Sequence, residues 1–142
     1  MKASRAGTRG FRAPEVLFKV QHQTMAIDVW SAGVILLTML TRRYPFFQSS
    51  DDQDAIVEVA FLFGNKAMAE AAALYGRRWQ CTVPTVGEEP VGWSKLVEKL
   101  NPELWPSVPS EAYSLLEGLL NLNAKERLTA QQALNHPFLK RY

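Results

Sequence analysis

Gly7-Thr8-Arg9-Gly10-Phe11-Arg12-Ala13-Pro14-Glu15 is the stretch of this 142-residue sequence that decides the fold. Its two glycines favour a loop over the first half of the stretch. Pro14 suits the first turn of a helix, because its missing N–H group is not needed there. We therefore predict a short helix from Pro14 to about Lys19. Taken alone, the stretch is no more than a glycine-rich loop that leads into a helix, and its meaning depends on the residues after it.

A long helix is predicted next, from Met25 to about Arg42, with Thr24 as its N-cap. Apolar side chains cover nearly every face of this helix, which is typical of a helix in the centre of a domain. Its polar members, Asp28, Ser31 and Thr38, then need buried partners. The alternative for Asp28 is a carboxylate that faces solvent from an imperfect apolar stripe.

The rest of the chain also divides into helices and loops, and no segment has the alternation of a convincing strand. Ser49 or Ser50 is a candidate N-cap for the next helix, and Gly64 fits the position just after its end. Residues 77–92 are predicted to be loop and residues 102–109 extended, since glycines and prolines recur there. The fold class is therefore mainly α. The further predicted helices are Asp51 to about Phe63, Asn65 to Tyr75, Trp93 to Leu100, Ser110 to about Leu122, and one that Thr129 opens and that ends before His136-Pro137.

Four motifs in this order resemble the helical part of a serine/threonine protein kinase. They are Gly7–Glu15, Asp28-Val29-Trp30-Ser31-Ala32-Gly33, Asn123-Ala124-Lys125-Glu126-Arg127-Leu128-Thr129 and Ala133-Leu134-Asn135-His136-Pro137-Phe138. The resemblance implies the lower, helical part of a protein-kinase-like C-lobe, which lacks the N-lobe and the catalytic loop. Residues 1–142 would then be a partial kinase domain, from the end of the activation segment through the last C-lobe helix.

The same resemblance implies roles for individual residues. The threonine that matches Thr8 lies beside the catalytic aspartate of a kinase and helps place the acceptor hydroxyl. The aspartate that matches Asp28 accepts hydrogen bonds from the backbone of the catalytic loop. The arginine that matches Arg127 forms a buried ion pair with the glutamate that matches Glu15, which suits a planar guanidinium and a carboxylate. The alternative for Arg127 is a solvated side chain in a charged turn.

Finer details are similar to one subfamily, the cell division cycle 7 protein kinases. They lie in Gly10–Leu17, Gln23–Ile35 and Arg43–Phe47, the last followed by Ser50-Asp51-Asp52. This likeness implies a role in the initiation of DNA replication, a regulatory subunit, a nuclear location and protein substrates with an acidic residue after the acceptor. Members often carry a long insertion where this chain has only the loop-rich residues 77–109. A fragment of a cyclin-dependent or casein-type kinase is therefore the alternative within the class.

Arginines near the start of the chain offer a physical basis for an acidic preference. Arg5, Arg9 and Arg12 flank the place where the residue after the acceptor would lie, and Arg12 is the best candidate to pair with a substrate carboxylate or phosphate. The alternative is that Arg12 holds the loop in place through an internal contact.

The sequence contains none of the motifs that hold ATP and transfer its phosphate. It has no G-x-G-x-x-G, no H-R-D and no D-F-G. ATP and Mg²⁺ are thus expected for the intact kinase, and no catalytic, cofactor-binding or metal-binding residue is expected in this chain alone. We predict that the chain alone is inactive and poorly soluble. The alternative is a non-catalytic module that binds a protein partner, for which the apolar stretch Ala55 to Phe63 is the candidate surface.

Composition narrows the function classes further. The net charge of +2 is too small to indicate nucleic-acid binding, and the longest apolar stretch, Gly33 to Leu40, is far too short for a membrane span. A single cysteine, Cys81, cannot form an internal disulfide, which favours an intracellular protein.

Overall fold

A computed structural model describes residues 10–49 and 51–140 of the chain. Within this part of the chain the regular structure is helical, as the sequence predicted, and contains no strand. None of its helices is long and apolar enough to cross a bilayer. The elements are α1 Pro14–Leu17, α2 Ala26–Thr41, α3 Asp52–Leu74, α4 Trp93–Leu100, a 3-10 turn at Trp105–Ser107, α5 Ser110–Leu119, α6 Ala130–Leu134 and α7 Pro137–Lys140.

The long apolar helix α2 lies at the centre and packs against α4 and α5, while α1 packs against α3. Helix α2 comes close to the end of α5 at Gly33, where an added Cβ would lie 2.6 Å from Leu120 Cδ2 and 2.9 Å from Leu119 Cβ. Only a glycine lets the two helices come this near without displacing side chains. Met25 is the residue that precedes α2, and the Thr24 hydroxyl accepts a hydrogen bond from Ala26 N at 3.2 Å.

Apolar side chains lie on nearly every face of α2, and one of these faces is left uncovered by the described residues. Ile35 is 49% exposed and Met39 is 66% exposed, and Met25 and Ala32 also face solvent. The opposite face is buried, with Trp30 and Leu37 at 0%. The side chains without cover therefore form a single stripe along the helix.

Gly64 divides α3 into two helical halves. It has φ 84° and ψ 157°, a conformation that glycine adopts far more readily than other residues. The two halves agree with the two helices predicted on either side of Gly64. The predicted N-cap was wrong, because the carboxylate of Asp51 accepts from Asp54 N at 2.8 Å in the place given to Ser49 or Ser50. Ser50 lies outside the described residues.

The loop after α3 is attached to the helices at both of its ends. Arg77 Nε donates to the carbonyl oxygen of Phe18 at 3.0 Å. At the far end, the break at Gly64 frees Asn65 N to donate to Gly87 O at 2.8 Å, and Val91 N donates to Leu62 O at 3.1 Å. Residues 77–92 thus contain no helix, as predicted, but their ends are fixed.

The proline-rich segment after α4 is less extended than predicted. Its middle forms the 3-10 turn at Trp105–Ser107, which begins close after Asn101. The Asn101 side chain is buried and donates to Leu40 O at 2.9 Å. This contact joins the ends of α4 and α2.

The last helices differ from the prediction at their ends. Helix α5 begins at Ser110 but has Pro109 as its N-cap, and it ends at Leu119 rather than Leu122. Thr129 and Gln132 form the capping box that starts α6. The short helix α7 was not predicted, although Pro137 at its first position is a favourable start.

Candidate functional site

The segment Gly10–Glu15 leads into α1, and its position is set by three contacts with distant residues. The first is made by Ser31 on α2, whose hydroxyl donates to the carbonyl oxygen of Phe11 at 2.9 Å and also reaches Ile27 O at 3.2 Å. This satisfies the expected need of Ser31 for a partner inside the fold. It also fixes the backbone of the segment against the central helix.

Arg127 provides the second and most extensive contact. Its Nη1 and Nη2 atoms donate to the two carboxylate oxygens of Glu15 at 2.8 and 2.9 Å. The side chains are 0% and 3% exposed, so both charges are withdrawn from water. This is the pair that the sequence resemblance implied, and the solvated alternative for Arg127 does not describe its place in the structure.

The remaining donors of Arg127 tie the pair to the rest of the domain. Nη1 also donates to Ala26 O at 2.8 Å, and Nε donates to Asn121 O at 2.9 Å. The guanidinium carbon lies 5.3 Å from the centre of the Trp30 ring, within the range of a cation–π contact. Four of the five N–H groups of an arginine are thus engaged, which offsets the cost of burying the charge.

The loop that carries Arg127 owes its shape to two asparagines. The side-chain oxygen of Asn121 accepts from Asn123 N at 2.9 Å, and that of Asn123 accepts from Lys125 N at 3.0 Å. Such contacts imitate backbone turns and are a local property of asparagine. Sequence reasoning missed these two residues, although their spacing within a polar loop is the signal that would have found them.

Tyr75 holds the same loop from the other side. Its hydroxyl donates to Leu122 O at 2.6 Å and accepts from Ala124 N at 2.9 Å. Burial raises the pKa of Tyr75 above its ordinary value, while the hydrogen bond from Ala124 N acts in the opposite direction. No sequence pattern indicates this role, because the two partners are backbone atoms about fifty residues away.

The third contact is an ion pair between Arg12 and Asp52. Arg12 Nη1 lies 2.8 Å from Asp52 Oδ1, and Lys19 Nζ lies 3.7 Å from Asp52 Oδ2. Asp52 is buried at the start of α3 and Arg12 is mostly buried. In this geometry Arg12 makes an internal contact that holds the segment Gly10–Glu15, which is the alternative to a contact with the substrate. Asp52 was missed because it stands in a run of acids that suits any helix N-terminus.

Asp28 does not lie where the long apolar helix suggested. It is exposed on α2, and within the described residues no hydrogen bond to its carboxylate is present. The backbone donors that the resemblance implies for Asp28 belong to a catalytic loop that this sequence does not contain, so its role as an anchor stays a prediction. Asp28 lines a largely apolar cavity of about 640 Å³ together with Met25, Ala32 and residues of the loop before α6.

The remaining candidate residues are those near the start of the chain and the histidine near its end. Thr8 and Arg5 precede residue 10 and are outside the described residues. Across residues 10–49 and 51–140, no three His, Cys, Asp or Glu side chains are grouped to hold a metal ion. His136 has a local structural role, since its ring accepts from Phe138 N at 3.1 Å and contacts the Ser114 hydroxyl at 3.1 Å.

Comparison with known proteins identifies the family of the chain. The sequence profile of the protein kinase domain matches residues 2–139. The probable cell division control protein 7 homolog 2 of Encephalitozoon cuniculi is 56% identical over 138 residues, which are 97% of this chain and 39% of that protein. The cell cycle protein kinase spo4 of Schizosaccharomyces pombe is 48% identical over 145 residues, 96% of this chain and 34% of that protein.

A human relative shows where lengths differ within the family. The cell division cycle 7-related protein kinase of Homo sapiens is 33% identical over 203 aligned residues, 97% of this chain and 35% of that protein. That alignment is longer than the whole chain, so the human protein has extra residues within the matched region. The chain spans about two fifths of the length of the two Encephalitozoon cuniculi relatives it matches. It belongs to the protein kinase domain family, and within that family it is similar to the cell division control protein 7 kinases.

Proposed function

We propose that this chain is the substrate-facing helical part of a serine/threonine protein kinase that acts in the cell cycle, at the initiation of DNA replication. The observation that carries the proposal is the buried pair between Glu15 and Arg127, which fixes the end of the segment Gly10–Glu15 to the loop before α6. Phosphoryl transfer depends mainly on positioning and on charge stabilisation. The chain supplies the first of these, and the groups that bind ATP and Mg²⁺ are not among its residues.

A chimeric kinase tests this proposal. The matched region of the Encephalitozoon cuniculi relative is replaced by this chain, and transfer of labelled phosphate from ATP to a serine peptide is measured. We expect activity from the chimera and none from the 142-residue chain alone. A folded chimera without activity, or activity of the chain alone, would contradict the proposal. Arg127→Ala should lower both the activity and the Tm of the chimera, whereas Arg78→Ala, at an exposed arginine, should change neither.

Thr8 gives a second test, in which kcat is compared with the KM for ATP. We propose that its hydroxyl helps place the acceptor hydroxyl of the substrate. In the chimera, Thr8→Ala should lower kcat at least about tenfold, the size of one lost transition-state hydrogen bond, with an unchanged KM for ATP. Thr8→Ser should keep most of the activity, because it keeps the hydroxyl. Thr82→Ala is the matched control at an exposed loop threonine, and an equal loss in both alanine variants would remove the assignment.

The preference for an acidic residue after the acceptor is a finer proposal. Arg5 and Arg12 are the candidate residues for this preference. Because Arg12 is paired with Asp52, a substrate carboxylate would compete with Asp52 for Arg12. A substrate carboxylate would have to share or replace Asp52. If Arg12 selects the substrate, Asp52→Asn should raise the ratio of rates for an aspartate-containing peptide over its alanine counterpart, and Arg12→Ala should bring the ratio to one. If Arg12 only holds the segment, both variants lower the two rates equally.

The intact kinase is proposed to use ATP and Mg²⁺, to require a regulatory subunit and to act in the nucleus on protein substrates. This part rests on the likeness to the cell division control protein 7 homologues. Imaging of the tagged intact protein and mass spectrometry of proteins that co-purify with it in a stable ratio test the location and the subunit. Exclusion of the protein from the nucleus would contradict the proposed role in replication.

A further inference from the structure

A groove on the surface of the domain lies beside the loop that carries Arg127 but is lined by neither Glu15 nor Arg127. It has a volume of about 660 Å³ and lies between the second half of α3, the start of α4 and the end of α5. This volume is within the range of sites that hold a drug-sized ligand or a few side chains. The groove therefore has room for part of a partner.

The floor of the groove is apolar and incompletely covered. Phe63 and Trp93 meet edge to face with ring centres 5.6 Å apart, and both line the groove. Leu74 is 62% exposed and Val91 is 44% exposed at its walls. Single exposed apolar residues are normal on a protein surface, but here several share one concavity, and such a patch is typical of an interaction site.

The rim of the groove is acidic. Glu70, Glu117 and Glu126 line it and are exposed, and none of the described residues that line it is a lysine, arginine or histidine. No salt bridge involving these three carboxylates is present within residues 10–49 and 51–140. The net charge of the whole chain is +2, so the negative charge of the rim is opposite in sign to the net charge. A partner with positive charge beside its apolar side chains would be complementary.

We propose that this groove docks a basic amphipathic segment of another protein. One or two large apolar side chains of that segment lie over Phe63, Leu74 and Trp93, and flanking lysines or arginines pair with the glutamates of the rim. This interaction is separate from the proposed phosphoryl transfer, since the groove contains none of the residues assigned to substrate positioning. Charge complementarity favours a basic partner over an acidic one.

Binding of designed peptides to the full chain tests the proposal. The probe is a fluorescent helical peptide with leucines on one face and lysines beside them, and the matched peptides carry glutamate for lysine or serine for leucine. Fluorescence anisotropy should show binding of the lysine peptide at least about tenfold tighter than of either matched peptide. The affinity should also fall with added salt, because these charges face solvent.

Two variants with the same change in net charge locate the site. The groove variant Glu70→Gln/Glu117→Gln/Glu126→Gln should weaken binding of the lysine peptide several-fold. The control variant Asp54→Asn/Glu98→Gln/Glu103→Gln changes exposed acids that do not line the groove and should leave binding unchanged. Circular dichroism on heating verifies that both variants remain folded.

Three results would overturn the proposal. Equal binding of the lysine and glutamate peptides would remove the role of charge. Equal weakening by the two variants would show a non-specific effect of net charge. A dimer seen by analytical ultracentrifugation and lost in Leu74→Ser would show that a second copy of the chain occupies the groove.

Discussion

Arg127 and Glu15 are 112 positions apart in the sequence and meet in the interior through two parallel hydrogen bonds. Most of the chain lies between them, so the pair joins α1, near the start of the described residues, to the loop before α6, near their end. Because each charge is the main partner of the other, removal of either one leaves the second buried without its opposite charge.

Arg127→Ala is expected to lower the free energy of unfolding by about 3–5 kcal/mol, the usual cost of leaving one member of a buried pair. Urea unfolding followed by circular dichroism measures this change. Arg127→Lys should recover only part of the loss, since a lysine cannot make the two parallel bonds. A loss near zero for Arg127→Ala would mean that Glu15 finds other donors.

Gly64→Ala is expected to destabilise the chain more than Gly76→Ala. Both glycines have positive φ, 84° and 70°, so each substitution strains the backbone, and the ψ of 157° at Gly64 places it in a region that is essentially restricted to glycine. An added Cβ at Gly64 would also lie 2.5 Å from Glu88 O, whereas nothing lies within 4 Å at Gly76. The difference between the two variants in urea unfolding reports the clash together with the greater backbone strain at Gly64, and equal losses would show that the loop yields without cost.

Tyr75→Phe is expected to cost about 1–3 kcal/mol, because Ala124 N loses its partner and Leu122 O loses its donor. The raised pKa of Tyr75 adds a dependence on pH. The folded state keeps the phenol protonated to higher pH than the unfolded state does, whose pKa is about 10. Its contribution to stability is therefore complete below about pH 10 and is lost as pH rises through the folded pKa. Unfolding of both proteins between neutral pH and pH values above 10 should show a steeper loss for the parent than for Tyr75→Phe.

The uncovered stripe of α2 predicts how the chain behaves in isolation. Ile35 and Met39 are one helical turn apart and exposed, so Ile35→Glu/Met39→Lys would replace apolar surface by an i,i+4 ion pair. We expect less aggregation in light scattering and a Tm that changes little. Leu37→Glu, on the buried face of the same helix, is the contrast and should prevent folding. If the double variant also unfolds, the stripe is covered within the chain.

Local signals in the sequence were enough to predict most of the helices. The contacts between distant residues could not be predicted from such signals. Glycines, prolines and capping residues mark the ends of α3, α4 and α6, because these signals act within a few residues. The partner of Arg127 came from family resemblance. The exposure of Asp28 and the burial of Asp52 could not be read from the pattern, since each depends on which distant surface reaches that helix face.

The two attachments of the loop 77–92 also bear on how this family varies in length. Arg77 at one end and Gly87 to Val91 at the other are joined to helices, whereas Gln80, Thr82, Pro84 and Thr85 between them are exposed. Each doubling of a flexible loop costs only about 0.6 kcal/mol in closure entropy. Extra segments inserted there during evolution would leave the positions of α3 and α4 unchanged. The fold would thus tolerate large additions at this point, and new regulatory sequences could be acquired without redesign of the core.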